Sequence, residues 1–310
     1  MSLDRRQWLA LVAAGGASLA VRASWARHAA KPANVGDLTG IWTNAWYTSL
    51  QRPKELKTLV VSPAEAEAYE KPRRAHAGEI VGDPHDELGQ SESEFPDNGP
   101  GLARIRGEIR SSWITDPADG RIPWTKAARA QRDANEAKAL SIDNVESRDT
   151  GERCLTASGV GAPLINSHDT NLMTFVQTRD HLLIVTEKNH DARVVRLGVA
   201  RDPLETPSWW GSSVGRWVDR TLVVETDNFR PGLTAIGDDF TLSHHARVVE
   251  LFTRTGPKQI LYLFEVTDPT LFSQTWKGEM IFRLAEGQMY EFACHEGNYS
   301  MLGILGPPVR

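Results

Sequence analysis

A chain of 310 residues, 24% charged and 40% hydrophobic, has globular composition and enough length to bury a sizeable core. The net charge of −5 and a pI near 6.0 supply no basic face, so nucleic acid is not an expected partner. Two cysteines, Cys154 and Cys294, exclude iron–sulfur and c-type haem motifs.

Residues 1–30 read as a twin-arginine signal peptide. Arg5-Arg6 precede Trp8-Leu9, and the apolar run Leu9 to Val21 is too short for an ordinary transmembrane helix. Cleavage is expected near Ser24-Trp25-Ala26, or else at His28-Ala29-Ala30. The expected address is the periplasm, with no stable membrane insertion after cleavage; the other reading is a retained anchor. In an oxidising compartment Cys154 and Cys294 can pair, the alternative being two buried thiols.

Residues 31–310 read as a single β-rich domain. Its first part, to residue 150, is irregular. Asp37-Leu38-Thr39-Gly40-Ile41-Trp42 opens the fold, with a glycine two residues before a tryptophan at a strand start, as in lipocalin-type barrels. Ser62-Pro63 with Glu65 starts a helix that is expected to be short and on the surface. Residues 76–100 read as a long solvated loop. Its acids Asp83, Asp86, Glu87, Glu92 and Glu94 lack EF-hand spacing. Arg110 to Thr115 reads as a strand ended by the Asp116-Pro117-Ala118-Asp119-Gly120 turn, and Pro123 to Leu140 as a surface helix.

From residue 172 the pattern is strand after strand. The segments are Leu172–Thr178, His181–Glu187, Arg193–Val199, Thr221–Thr226, His245–Thr253, Gln259–Thr267, Lys277–Leu284 and Met289–His295. Short turns between them predict a mainly β fold, a lipocalin-like antiparallel barrel with a few peripheral helices. Leu222, Val224 and Thr226 share one face, as do Ile260, Tyr262, Phe264 and Val266. In the last segment Tyr290 and Phe292 are expected to face the core, leaving His295 on the polar side. Ser208 to Phe229, with Trp209, Trp210 and Trp217, reads mainly as architecture around a tight turn.

Seven motifs resemble one largely uncharacterised family of exported bacterial proteins. They begin at Asp37 (DLTGIWTN), Asp116 (DPADGRIP), Glu152 (ERCL), Glu187 (EKNHDAR), Trp210 (WGSSVGRW), Thr221 (TLVVETDNF) and Tyr290 (YEFACHEGNY). The resemblance implies export and a lipocalin-like barrel, and carries no established reaction.

The candidate chemistry lies at strand ends. His190 and Asp191 form a turn between Glu187 and Arg193; a histidine oriented by a carboxylate is an acid–base pair, and an arginine can bind an anionic group. The bland alternative is a polar hairpin with Asp191 and Arg193 pairing locally. His295 and Glu225 complete the expected catalytic set. Arg193, Arg216, Glu187, His244, Trp210 and Tyr299 are the candidate substrate-binding residues. Arg216 is expected to stack on a neighbouring tryptophan or to pair with Glu225. His190, His244 or His245, and His295, with Glu187, Glu225 or Glu250, have donors that suit zinc or iron. No HExxH or CxxC spacing supports that, so no cofactor is expected. His168-Asp169 is a weaker pair. The leading expectation is a cofactor-independent lyase or isomerase for a small aromatic or apolar molecule. The alternative is a periplasmic lipocalin-like binding protein for a hydrophobic ligand.

Overall fold

The structure is a computed structural model that describes residues 36–82, 99–139, 145–156, 160–166, 171–202, 206–231 and 240–297. The proposed signal peptide, the acidic residues 83–94, His168, Asp169 and Tyr299 lie outside the described residues.

The fold is mainly β, and its centre is a closed barrel of nine strands. Strand β1 (Gly40–Thr43) is followed by β2 (Val60–Val61), β3 (Arg104–Ile105), β4 (Glu108–Arg110) and β5 (Ile114–Asp116). Then come β6 (Leu172–Gln177), β7 (His181–Thr186), β8 (Ala192–Leu197), β9 (Ser212–Val218), β10 (Thr221–Asp227), β11 (Arg247–Gly256), β12 (Gln259–Thr267) and β13 (Trp276–Leu284). The barrel runs β1-β6-β7-β8-β9-β10-β11-β12-β13 and closes where Trp42 pairs with Leu284 and Thr43 with Arg283. Strands β2, β4 and β3 form a separate small sheet, and β5 adds to the far edge of β13.

A ring of nine strands cannot alternate direction throughout, so one neighbouring pair has to be parallel. That pair is β8 and β9, joined by only three register pairs from Val195–Ser213 to Leu197–Gly215. Every other barrel pairing is antiparallel. Parallel neighbours require the chain to return along the barrel between them, and residues 198–202 and 206–211 are the described parts of that connection. At the end of that return Gly211 has φ +69°, and a Cβ there would stand 2.6 Å from the Asp227 carbonyl oxygen.

Alternation sorts the side chains as expected. Leu222, Val224 and Thr226, and Ile260, Tyr262, Phe264 and Val266, are all fully buried on the inward face. Phe175 on β6 meets Phe252 on β11 with ring centroids 5.9 Å apart, and Tyr262 lies 5.4 Å from Phe282. The barrel interior in this region is therefore packed aromatic core. Trp42 is fully buried, donates its indole N–H to the Leu38 carbonyl at 2.8 Å, and has the Arg254 guanidinium 5.2 Å from its ring centroid.

Several expectations need correction. The helix α1 (Pro63–Gly82) is long, running 20 residues through Pro72. Its start is a capping box, in which Ser62 Oγ accepts from the Glu65 N–H and Glu65 accepts from the Ser62 N–H. Glu70 and Glu67 then hold Arg74. Helix α2 (Lys126–Ala139) starts later than Pro123. The single strand over 110–115 is split into β4 and β5, because Ser111 turns to the Thr58 carbonyl and Trp113 enters the core. Ser212–Val218, read as an approach to a turn, is a full barrel strand.

The largest correction concerns residues 289–295, which are not a barrel strand. Pairing of β13 with β1 has already closed the ring, so these residues have no ladder to join. They form an extended strap along the outside, ending in the one-turn helix α3 (Cys294–Gly297). Ala285 N–H donates to Ile41 O and Thr174 Oγ1 contacts Met289 Sδ at 3.1 Å. Tyr290, expected in the core, is 68% exposed.

Candidate functional site

The site lies at the barrel end where β7 turns into β8. Thr186 holds this turn: its N–H donates to Asp191 O at 2.9 Å, and its hydroxyl donates to the same oxygen at 3.2 Å. Asn189 and His190 both have positive φ, 58° and 52°, which leaves the His190 ring exposed at the apex. Two successive residues in this region store on the order of 1 kcal/mol each.

Three segments converge on the turn. From the 149–156 turn, Thr156 Oγ1 donates to Asp191 Oδ2 at 3.2 Å. From the return between β8 and β9, Trp210 Nε1–H donates to Asp191 Oδ1 at 3.3 Å. From the strap, Tyr290 N–H donates to Glu187 Oε1 at 2.9 Å and Phe292 N–H to His190 Nε2 at 3.2 Å. The Cys154–Cys294 disulfide, with Cα atoms 5.7 Å apart, joins the first and third of these segments. Gly161 makes Trp210's position possible, since a Cβ there would lie 2.6 Å from the indole ring.

The Asp191 carboxyl is half-buried, and burial pushes its pKa above the ordinary aspartate range. The Trp210 and Thr156 hydrogen bonds and nearby His190 offset this only in part. Asp191 does not pair with Arg193. Arg193 points into the barrel and is spent on other partners. It donates to Ser213 Oγ at 3.0 Å through Nε, to Thr226 Oγ1 at 2.7 Å through Nη2, and to both carboxylate oxygens of Glu250, one of them at 3.0 Å. Tyr262 Oη donates to Glu250 Oε1 at 2.8 Å and accepts from the Leu164 N–H at 2.9 Å. Burial opposes the Arg193 charge, but the adjacent Glu250 outweighs it and holds the guanidinium above its usual pKa. Burial, reinforced by the Glu250 charge, drives the Tyr262 hydroxyl well up.

The remaining candidates are placed elsewhere. Glu225 lies on the outer face of β10 and pairs with Arg247 at 2.7 Å, not with Arg216. Arg216 is half-buried on the outer face of β9. His244 and His245 precede β11 in an exposed turn; their rings do not diverge but sit 3.8 Å apart. His295 is exposed on α3. The structure thus brings together Glu187, His190, Asp191, Trp210 and the disulfide, and leaves Arg193 sealed behind them. Among the described residues no group of three or more His, Cys, Asp or Glu side chains is arranged to hold a metal. Sequence reasoning undervalued Glu250 and missed the Tyr262 hydroxyl. The available signal was a charged residue at an inward position of an otherwise apolar strand, Val248-Val249-Glu250-Leu251-Phe252.

Comparison of the chain with protein-family models, with curated proteins and with solved structures gives no match.

Proposed function

We propose that the protein is an exported acid–base enzyme of lyase or isomerase type, acting on a small apolar or aromatic molecule at the rim formed by the 187–191 turn. The observation that carries this reading is Asp191. Its carboxyl is half-buried with a raised pKa, and its two oxygens are held by uncharged donors, Trp210 and Thr156. A carboxylate tuned toward neutrality and fixed at a barrel mouth suits general-base work.

In the proposed step Asp191 takes a proton from a carbon acid, and the resulting acid returns it to a different atom or to a leaving group. With His190 Nε2 accepting from Phe292 N–H, a neutral His190 ring carries its proton on Nδ1 and offers that N–H to a developing oxyanion. The Arg193 role as an anion holder is not retained, because its donors face Glu250, Ser213 and Thr226. Export is supported by the Arg5-Arg6 leader and by the Cys154–Cys294 disulfide, which persists in oxidising compartments.

The second reading, a binding protein without catalysis, is favoured by the exposed Tyr290 beside Glu187. The packed interior argues against a ligand held inside the barrel.

One experiment separates the two readings. A panel of small aromatic carbonyl compounds is incubated with the protein in deuterium oxide, and carbon-bound deuterium is read by mass spectrometry. Incorporation that disappears in Asp191→Asn supports the enzyme. Incorporation that persists in that variant overturns the Asp191 role. Stoichiometric retention of an unchanged compound, with no incorporation, favours the binding protein.

A further inference from the structure

The disulfide, the strap and the 187–191 turn form a closed circuit. From Cys154 the chain reaches Thr156, whose hydroxyl bonds Asp191. Asp191 adjoins His190, whose Nε2 accepts from Phe292 N–H. Phe292 is two residues from Cys294, which returns to Cys154 through the sulfur–sulfur bond. Tyr290 N–H on Glu187 adds a second rung. Residues 288–291 otherwise lie open to solvent apart from half-buried Met289, and belong to no sheet.

We propose that this disulfide-closed clasp is a positioning device for the His190–Asp191 pair, and that Phe292 is the positioning residue that sets the His190 tautomer. The proposal depends on the reading of the turn as the active rim. A backbone N–H can only donate, so the ring nitrogen facing it must be the unprotonated one. The neutral imidazole is thereby forced to carry its proton on Nδ1. Among the described residues the Phe292 N–H is the one hydrogen-bond partner of the exposed His190 ring that can hold a single tautomer. The disulfide keeps Phe292 in place, because among the described residues the strap's other ties to the barrel wall are single contacts at Ala285, Met289 and Tyr290. The same covalent bond fixes the 149–156 turn that supplies Thr156, so one link orients both members of the pair.

The test reads the tautomer directly and needs no substrate. Two-bond proton–nitrogen NMR correlations of His190 are recorded for the oxidised protein, for the protein after dithiothreitol, and for Cys294→Ser. Dithiothreitol supplies two electrons and two protons, yielding two thiols and its own cyclic disulfide. Amide hydrogen exchange at Tyr290 and Phe292 is followed in parallel, and near-ultraviolet circular dichroism checks that the barrel remains folded. Phe292→Pro removes the donor N–H while leaving the cysteines bonded, and serves if the reduced protein unfolds.

The expected result is a single Nδ1-protonated ring in the oxidised protein. It is replaced in the reduced protein and in both variants by a mixture of tautomers, with exchange at 290 and 292 at least tenfold faster after reduction. An unchanged tautomer in a folded Phe292→Pro protein, or an Nε2-protonated ring at the outset, overturns the proposal. Deuterium incorporation by the oxidised protein stands or falls separately, so a failure of the clasp is distinguishable from a failure of the proposed reaction.

Discussion

Arg193 and Glu250 form a buried ion pair across the barrel interior, 57 residues apart in sequence and at most 4% exposed. With Ser213, Thr226 and Tyr262 the network strings together β8, β9, β10, β11 and β12. Breaking one partner strands a charge in apolar surroundings, so Arg193→Met or Glu250→Leu alone should cost about 3–5 kcal/mol. In the double variant no charge remains. Ser213 and Thr226 still bond each other, and Tyr262 keeps the Leu164 N–H. The double variant is therefore expected to be more stable than either single one, as read from urea denaturation midpoints. A strictly additive loss would show that the pair is not coupled.

Gly161→Ala tests how Trp210 is held. The new Cβ would stand 2.6 Å from the indole, so the ring has to move away from Asp191. Overpacking of this kind costs about 1–3 kcal/mol. The expected signs are a shifted Trp210 indole N–H resonance and loss of its bond to Asp191. An unshifted resonance would place the ring's support elsewhere.

Removing the Cys154–Cys294 bridge frees a chain of 140 residues between the two positions. The loop-entropy model gives a loss of about 5 kcal/mol for a closed loop of that size. Cys154→Ser with Cys294→Ser should lower the denaturation free energy toward that figure. A loss below 1 kcal/mol would mean that the strap and its ties impose the same restriction without the covalent link.

Asp191 sets a pH dependence of known sign. Its folded pKa lies above the unfolded one, so its stabilising contribution is fully present below the unfolded value, about 3.9, and is lost as pH rises through the folded value. At neutral pH the ionised group opposes folding. Asp191→Asn keeps an acceptor for Trp210, and should be more stable than the parent at pH 7 and equal to it near pH 3.5. A stability difference that does not change between those pH values would contradict this assignment.

Much of the barrel was legible because alternation reports burial directly. The inward sets on β10 and β12 follow from period two alone, whereas the sequence left Cys154 and Cys294 open between a bridge and two buried thiols, and the structure shows the bridge. The parallel seam was not legible, because it depends on how many strands close the ring, and Ser212–Val218 had not been counted. The strap was misread because Tyr290 and Phe292 alternate as a strand would, while the ladder they would join is already occupied by β1. At the site, His190 and Asp191 stood out as residue types. Their partners did not, since two of the donors, at Tyr290 and Phe292, are backbone N–H groups that any residue but proline carries. The fate of Arg193 was decided by Glu250, a contact that no local pattern predicts.

The pairing of Trp42 with Leu284 also fixes when the molecule can be completed. The first barrel strand has four residues, and one of its two neighbours is the last strand of the barrel. A nascent chain that has not yet emerged past residue 284 has an open sheet with two free edges, however well its middle hairpins have formed. Closure is thus a contact of very high sequence separation, of the kind that slows folding and leaves edges exposed to mispairing. The barrel cannot exist until residue 284 has emerged, and any factor that shields the edges at β1 and β13 in the interval would determine how much chain reaches the native state.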